Sequence, residues 1–165
     1  MLALIIGLIV VVLDQFTKLW VRETFIYGGD AQVVVPGFFN LVYVRNSGAA
    51  WGMLGGQQVI LILLSVVVLL LLIVYRRRVL NPTLDHHIAF GLMIGGILGN
   101  LIDRIKVGWV TDFLDFYIGT HHWPSFNIAD SAICIAVGLY LLSSLWHKEH
   151  PLKNDDKPKS QKSKS

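Results

Sequence analysis

Gly91-Leu92-Met93-Ile94-Gly95-Gly96-Ile97-Leu98-Gly99-Asn100-Leu101-Ile102-Asp103-Arg104 decides the fold. Ile88 to Ile102 carries no charge, and Gly91, Gly95 and Gly99 recur at every fourth position, with Gly96 beside them. On a helix that spacing makes a smooth stripe along which a second helix can approach closely, the small-xxx-small pattern of membrane bundles. The run then ends on Asn100 and Asp103, three residues apart and so on one helical face. A carboxylate this near the hydrocarbon costs several kcal/mol unless it is paired, hydrated or protonated.

Outward from this stretch the same pattern repeats. Leu2–Leu13 is apolar except for Gly7 and continues less strictly through Trp20; Val59–Tyr75 is broken only by Ser65, and Ile128–Trp146 only by Asp130. The chain has 165 residues, 54% apolar and 15% charged, against roughly 25% charged in soluble domains. A span needs about 20 residues. The reading is an all-α integral membrane protein with four transmembrane helices, over about 2–22, 58–75, 87–103 and 127–146. Residues 1–147 form one membrane domain, and 148–165 form a Lys/Ser-rich tail too polar to fold. No basic stretch precedes Leu2 and no Ala-x-Ala-like site follows Leu13, so the first run reads as a retained helix. Cys134 is the single cysteine, so no internal disulfide is expected, and it reads as a packing residue.

Lys and Arg accumulate in cytoplasmic segments. Arg76–Arg78 follow the second span and six lysines from Lys148 onward follow the fourth, which sets both termini inside. Lys18, Arg22, Arg45, Arg104 and Lys106 then lie on the outer side. In this orientation Asp14 lies about 18 Å along the first helix, in the outer half, and Asp103 about 22 Å along the third, at its outer end. Asp130 starts the fourth, and Asp112 and Asp115 fall in the preceding loop. Carboxylates from independent segments thus gather at one outer boundary. Gln32–Val35, a Pro36-Gly37 turn and Phe39–Arg45 read as a small extracytoplasmic hairpin. Lys106–Phe126, rich in aromatics, reads as an interfacial loop.

Asn127 and Asp130 repeat the Asn100/Asp103 spacing, so two amide–carboxylate pairs can face each other across a cleft; Asn127 also fits a helix N-cap. Asp14 and Lys18, four apart, suit an internal ion pair of structural role. Arg104 points about 100° from Asp103, towards headgroups or a ligand carbonyl or anion. If the segment after the third helix is extended, Asp112 and Asp115 point to opposite faces and only one enters the cleft. The sequence has no His-Glu-x-x-His zinc helix, no Ser–Lys or Ser–His constellation at the outer boundary and no nucleic-acid patch, so neither metal nor cofactor is expected. Two close carboxylates share a proton and can activate water while protonating a scissile carbonyl and leaving amine. Spacing alone leaves open whether Asp103 or Asp112 partners Asp130, and helical symmetry favours Asp103. A proton- or ion-coupled transporter would spread its acids through the depth and show an inverted repeat; a non-catalytic scaffold leaves the acids unexplained.

Five blocks occur in order: Asp14-Gln15-Phe16-Thr17-Lys18, Asn46-Ser47-Gly48-Ala49-Ala50, Gly99-Asn100-Leu101-Ile102-Asp103-Arg104, Val110-Thr111-Asp112-Phe113 and Phe126-Asn127-Ile128-Ala129-Asp130. Together they resemble bacterial lipoprotein signal peptidase (signal peptidase II) over nearly the whole chain before the tail. The resemblance implies an intramembrane aspartyl endopeptidase of the bacterial cytoplasmic membrane, multi-pass, with its site on the extracytoplasmic side. It cuts before the diacylglyceryl-modified cysteine of prolipoproteins. Membrane lipid and globomycin-type inhibitors are the other implied partners, and a monomer the expected state. By the family pattern Asp112 and Asp130 form the catalytic dyad. Asn46, Gly48, Asn100, Arg104 and Asn127 match cleft positions, and Asp14, Lys18 and Asp103 match supporting ones. Trp51 stands where another aromatic, often Phe, is usual.

Overall fold

The computed structural model describes residues 1–49, 53–76 and 83–149. Ala50, Trp51, Arg77, Arg78 and the tail from His150 lie outside the described residues. The elements in chain order are α1 (Leu2–Thr24), β1 (Gln32–Val35), β2 (Phe39–Asn46), α2 (Gln58–Val74), α3 (Leu84–Lys106), β3 (Val110–Ile118), β4 (His121–His122) and α4 (Ile128–Glu149). Among the described residues α1, α3 and α4 are long and apolar enough to cross a membrane; α2 is a shorter apolar helix of 17 residues.

The glycine stripe holds α1 and α3 together. A Cβ on Gly91 would lie 2.6 Å from the Ala3 carbonyl oxygen, one on Gly95 2.7 Å from that of Gly7, and one on Gly99 2.5 Å from Asp14 Oδ2. The contacts climb both helices in the same sense, so α1 and α3 are parallel. Gly96 faces the other way, where a Cβ would meet the Ala129 carbonyl oxygen at 2.5 Å. Because α4 begins beside this end of α3, while Tyr140 lies tilted against His86 at the other (5.1 Å), α4 runs antiparallel to α3. α2 does likewise: Gln58 donates to the Ser47 carbonyl at one end, and Leu72 shares a wall with His86 at the other.

The bundle is inside out relative to a soluble one. Leu4, Leu8, Val12 and Phe16 are exposed on α1, whereas Asp14 and Lys18 are wholly buried. Lipid suits the apolar exterior, and the buried charges must find partners within the protein.

The helix α3 starts at Leu84, three residues before the expected span at 87, and so carries His86 into the bundle rather than leaving it beside the helix. Thr83 supports this earlier start: its backbone is extended and its carbonyl accepts the first helical bond from His87. The outer segments also differ from the expected hairpin and separate loop. The hairpin and the expected interfacial loop are one antiparallel sheet of order β1-β2-β3-β4. The segment that carries Asp112 and Asp115 is strand β3, paired with β2 through Val44↔Asp112, Arg45↔Thr111 and Asn46↔Val110. Its aromatic residues pack on the sheet: Phe116 stacks on Phe39 (4.7 Å) and Phe126 (5.7 Å). Tyr43 and Phe113, from the opposite face, bury against Val21 and dock the sheet on the end of α1.

Candidate active site

The site lies where the end of α3, the start of α4 and the sheet meet. It opens on a cavity of about 950 Å³ whose walls include Asn46, Gly48, Asn100, Arg104, Asp112 and Asp130. Three local features bring these residues together. The β2–β3 pairing sets Asn46 beside Asp112, so that Asn46 Nδ2 donates to Asp112 Oδ2 at 2.9 Å. The backbone of Phe126 is tied to β3: its carbonyl accepts from Phe113 (3.0 Å) and Leu114 (2.9 Å), and its N–H donates to Leu114. Asn127 therefore follows directly beside β3, and the first turn of α4 brings Asp130 round to the same cavity.

Asn127 performs two jobs. Its Oδ1 accepts from the Asp130 backbone N–H at 3.0 Å, the bond of a helix N-cap. Its Nδ2 donates to Asp112 Oδ1 at 2.6 Å and to Asn100 Oδ1 at 3.3 Å. Asn100 Nδ2 in turn donates to Asp130 Oδ1 at 2.7 Å. The two carboxylates are thus joined by a chain of two amides, Asp112–Asn127–Asn100–Asp130. The expected facing of Asn100 and Asn127 is present, but its acidic partners are Asp112 and Asp130.

Asp103 takes a different place from the one helical symmetry favoured. Three residues of helix amount to 300°, so Asp103 is turned 60° from Asn100, enough to face α1 instead of the cavity. There it accepts from Arg22 Nη1 at 3.2 Å and from the Thr111 backbone N–H at 2.9 Å, with Lys18 Nζ 3.5 Å away. Asp103 thus fixes β3 to the bundle one residue before Asp112.

Asp14 and Lys18 form the expected ion pair, 2.8 Å apart with both side chains fully buried. Asp14 Oδ1 also accepts from the Ala129 backbone N–H at 2.9 Å, so that a residue of α1 satisfies an otherwise orphan donor of α4. Lys18 Nζ donates to Asn100 Oδ1 at 2.9 Å. Thr17 donates to the Leu13 and Asp14 carbonyls of its own helix.

Arg104 borders the cavity and donates to the Gly48 carbonyl at 3.0 Å and the Asn100 carbonyl at 3.3 Å. Gly48 N–H donates to Asn46 Oδ1 at 2.9 Å, which aims the Asn46 amide at Asp112. Asp115 points to the face opposite Asp112, as an extended segment requires; it accepts from Asn40 Nδ2 (3.0 Å) and lies 2.9 Å from His122 Nδ1.

Burial, and after it the charge of Asp130, raises the Asp112 carboxyl from 3.8 to about 7; the bonds from Asn46 and Asn127 oppose the rise. Asp112 therefore keeps its proton far above the usual carboxylate range and loses it only near neutral pH, and a protonated Asp112 can donate while a neighbouring carboxylate accepts.

Arg22, Gln15 and Thr111 complete the frame, although none of them is among the site residues expected from the sequence. Gln15 Nε2 bridges the Gly99 carbonyl (3.1 Å) and Asp14 (3.2 Å), and Arg22 joins Asp103 to Thr111 Oγ1 (3.0 Å). Arg22 follows Asp14 and Lys18 at the next i+4 position, and that periodicity was a usable signal. For Gln15 and Thr111 no sequence signal exists, because their partners come from other elements.

The family Signal peptidase (SPase) II matches residues 6–146 of the chain. The lipoprotein signal peptidase of Maridesulfovibrio salexigens is 41% identical over 147 residues, covering 86% of this chain and 94% of that protein. The lipoprotein signal peptidase of Syntrophotalea carbinolica is 46% identical over 144 residues, covering 85% and 88%. Among solved structures, a bacterial membrane enzyme obtained by the in meso method at 2.3 Å resolution superposes with a TM-score of 0.84 at 35% identity, covering 94% of each chain.

Proposed function

Because the chain belongs to the signal peptidase II family, we propose that it is an aspartyl endopeptidase that removes the signal peptide from diacylglyceryl-modified prolipoproteins, cutting just before the lipidated cysteine. Asp112 and Asp130 are its catalytic pair. The observation that carries this reading is the amide chain that links the two acids on the wall of one cavity.

Asp112, which holds its proton to about pH 7, donates it to the scissile carbonyl oxygen. Asp130 takes a proton from a water between the two acids as that water's oxygen bonds to the carbonyl carbon. The tetrahedral intermediate collapses when the C–N bond breaks and the cysteine nitrogen takes a proton from Asp130. The hydroxyl proton returns to Asp112 as the new carboxyl forms, and the pair is restored. Arg104 and Asn46 are placed to hold substrate carbonyls, and Asp14, Lys18 and Asp103 support the frame.

In the bilayer, α2 crosses with the other three helices, both termini face the cytoplasm, and the sheet rests at the outer headgroups. Arg76, directly after α2, and the lysines after α4 support this orientation. The enzyme acts as a monomer, with the substrate's lipid chains kept in bilayer between helices, and globomycin-type inhibitors compete at the same cleft.

Purified protein in lipid tests the proposal. It should release signal peptide from a lipidated prolipoprotein, spare the same precursor lacking its lipid, and be blocked by globomycin. Equal cleavage of both precursors would remove the lipid-dependent reading.

A further inference from the structure

Arg45 borders the same cavity as Asp112 and Asp130 but takes no part in the hydrogen bonds that link them, and its side chain is held ready for a ligand. The guanidinium of Arg45 lies 4.4 Å from the ring centroid of Tyr27 and 4.4 Å from that of Trp109, with Tyr43 at 5.4 Å. Its Nε–H donates to the Tyr43 hydroxyl at 3.1 Å. Among the described residues its terminal nitrogens have no hydrogen-bond acceptor, and no carboxylate lies within ion-pair distance. Arg45 itself is exposed. The rings cover the plane of the guanidinium and fix its direction, leaving the hydrogen-bonding edge open.

The cluster sits at a defined depth. Tyr27 lies just beyond the end of α1 at Thr24, and Trp109 just beyond the end of α3 at Lys106. The two helices are parallel, so both rings stand at the same membrane boundary. Tyr and Trp favour the headgroup level, and a planar guanidinium edge matches two oxygens of a phosphate.

We propose that Arg45, clamped between Tyr27 and Trp109, binds the phosphate of an anionic phospholipid in the outer leaflet. The bound lipid would also steady the site, since Arg45 precedes Asn46, the donor to Asp112. This rests on the proposed bilayer placement but not on the catalytic pair.

The test is lipid retention by the full chain, measured by native mass spectrometry after release from nanodiscs of equimolar phosphatidylglycerol and phosphatidylcholine. Wild type should retain phosphatidylglycerol about 5-fold more strongly than Arg45→Gln, the ratio that corresponds to about 1 kcal/mol for one arginine at an anionic surface. Arg45→Lys, which keeps charge without the planar fork, should fall between. Circular dichroism establishes that each variant is folded. Equal retention by wild type and Arg45→Gln would overturn the proposal. So would displacement of the lipid by free glycerol phosphate at comparable concentration, which would mark a site for soluble anions. Unchanged retention, coupled with a selective loss of cleavage of precursors with an acidic residue after the cysteine, would reassign Arg45 to substrate reading. Retention is read without turnover, so a failed assignment of Asp112 and Asp130 would leave this result standing.

Discussion

Replacing Gly99 by alanine should damage the protein far beyond the size of a methyl group. The new Cβ would stand 2.5 Å from Asp14 Oδ2, 3.0 Å from Asp14 Cγ and 3.2 Å from Ala129 Cβ. The helices cannot separate to relieve this, because Gly91 and Gly95 already set α3 against the backbone of α1. Asp14 cannot swing aside without leaving Lys18 at 2.8 Å and the Ala129 N–H at 2.9 Å. Overpacking costs about 1–3 kcal/mol, and loss of a hydrogen bond to a charged group adds about 1.5–3 kcal/mol. A combined destabilisation of about 3–5 kcal/mol follows. Thermal unfolding in detergent measures it, with Gly138→Ala on α4 as control. Nothing lies within 4 Å of a Cβ there, and alanine should be neutral or stabilise by up to about 1 kcal/mol. Adding Asp14→Ala to Gly99→Ala should cost less than the sum of the single changes, because it removes the atom that is struck. If Gly99→Ala unfolds with wild type, or the double variant is additive, the tight contact at Asp14 is not what holds α1, α3 and α4 together.

Three further outcomes follow from the same geometry. Lys18→Met should destabilise by about 3–5 kcal/mol in the same unfolding assay, since it strands the buried carboxylate of Asp14. The pH profile of kcat/KM should fall as pH rises through about 7, where Asp112 loses its proton. Asn46→Ala removes a bond that favours the charged form, so the fall should move to higher pH; a shift downward would contradict the role given to Asn46. Folding stability should respond in the same sense. The native Asp112 carboxyl titrates above its unfolded value of 3.8, so its contribution is greatest below that value and is lost as pH rises towards 7. Denaturant titration of Asp112→Asn should show less of this decline than wild type.

Much of this architecture can be read from local pattern. Long apolar runs mark the helices, β-branched and aromatic residues about Pro36-Gly37 mark β1 and β2, and the four-residue glycine repeat marks a close helix contact on α3 without naming α1 as its partner. The pairing of β3 with β2 could not be read this way, because it joins residues 66 positions apart, as at Asn46 and Asp112. The acids inside Val110–Ile118 also disguised a strand as a loop, although its residue types favour β structure. The start of α3 was obscured by Asp85, His86 and His87, polar residues that a helix admits once Tyr140 covers one of them. Spacing alone leaves Asp103 and Asp112 open as the partner of Asp130, because three residues read as one helical direction, whereas the residual 60° turns Asn100 to α4 and Asp103 to α1. The resemblance, rather than spacing, selected Asp112, and β3 brings that residue to the cavity wall.

Single-turnover cleavage of a lipidated prolipoprotein by Asp112→Asn, Asp130→Asn and the double variant tests most directly whether the two acids act together. Each single change should abolish signal-peptide release about as completely as both together, because neither acid works alone, while helical content stays that of the wild type. Near-wild-type turnover by either single variant, or losses that multiply in the double variant, would show that these acids do not form one catalytic unit.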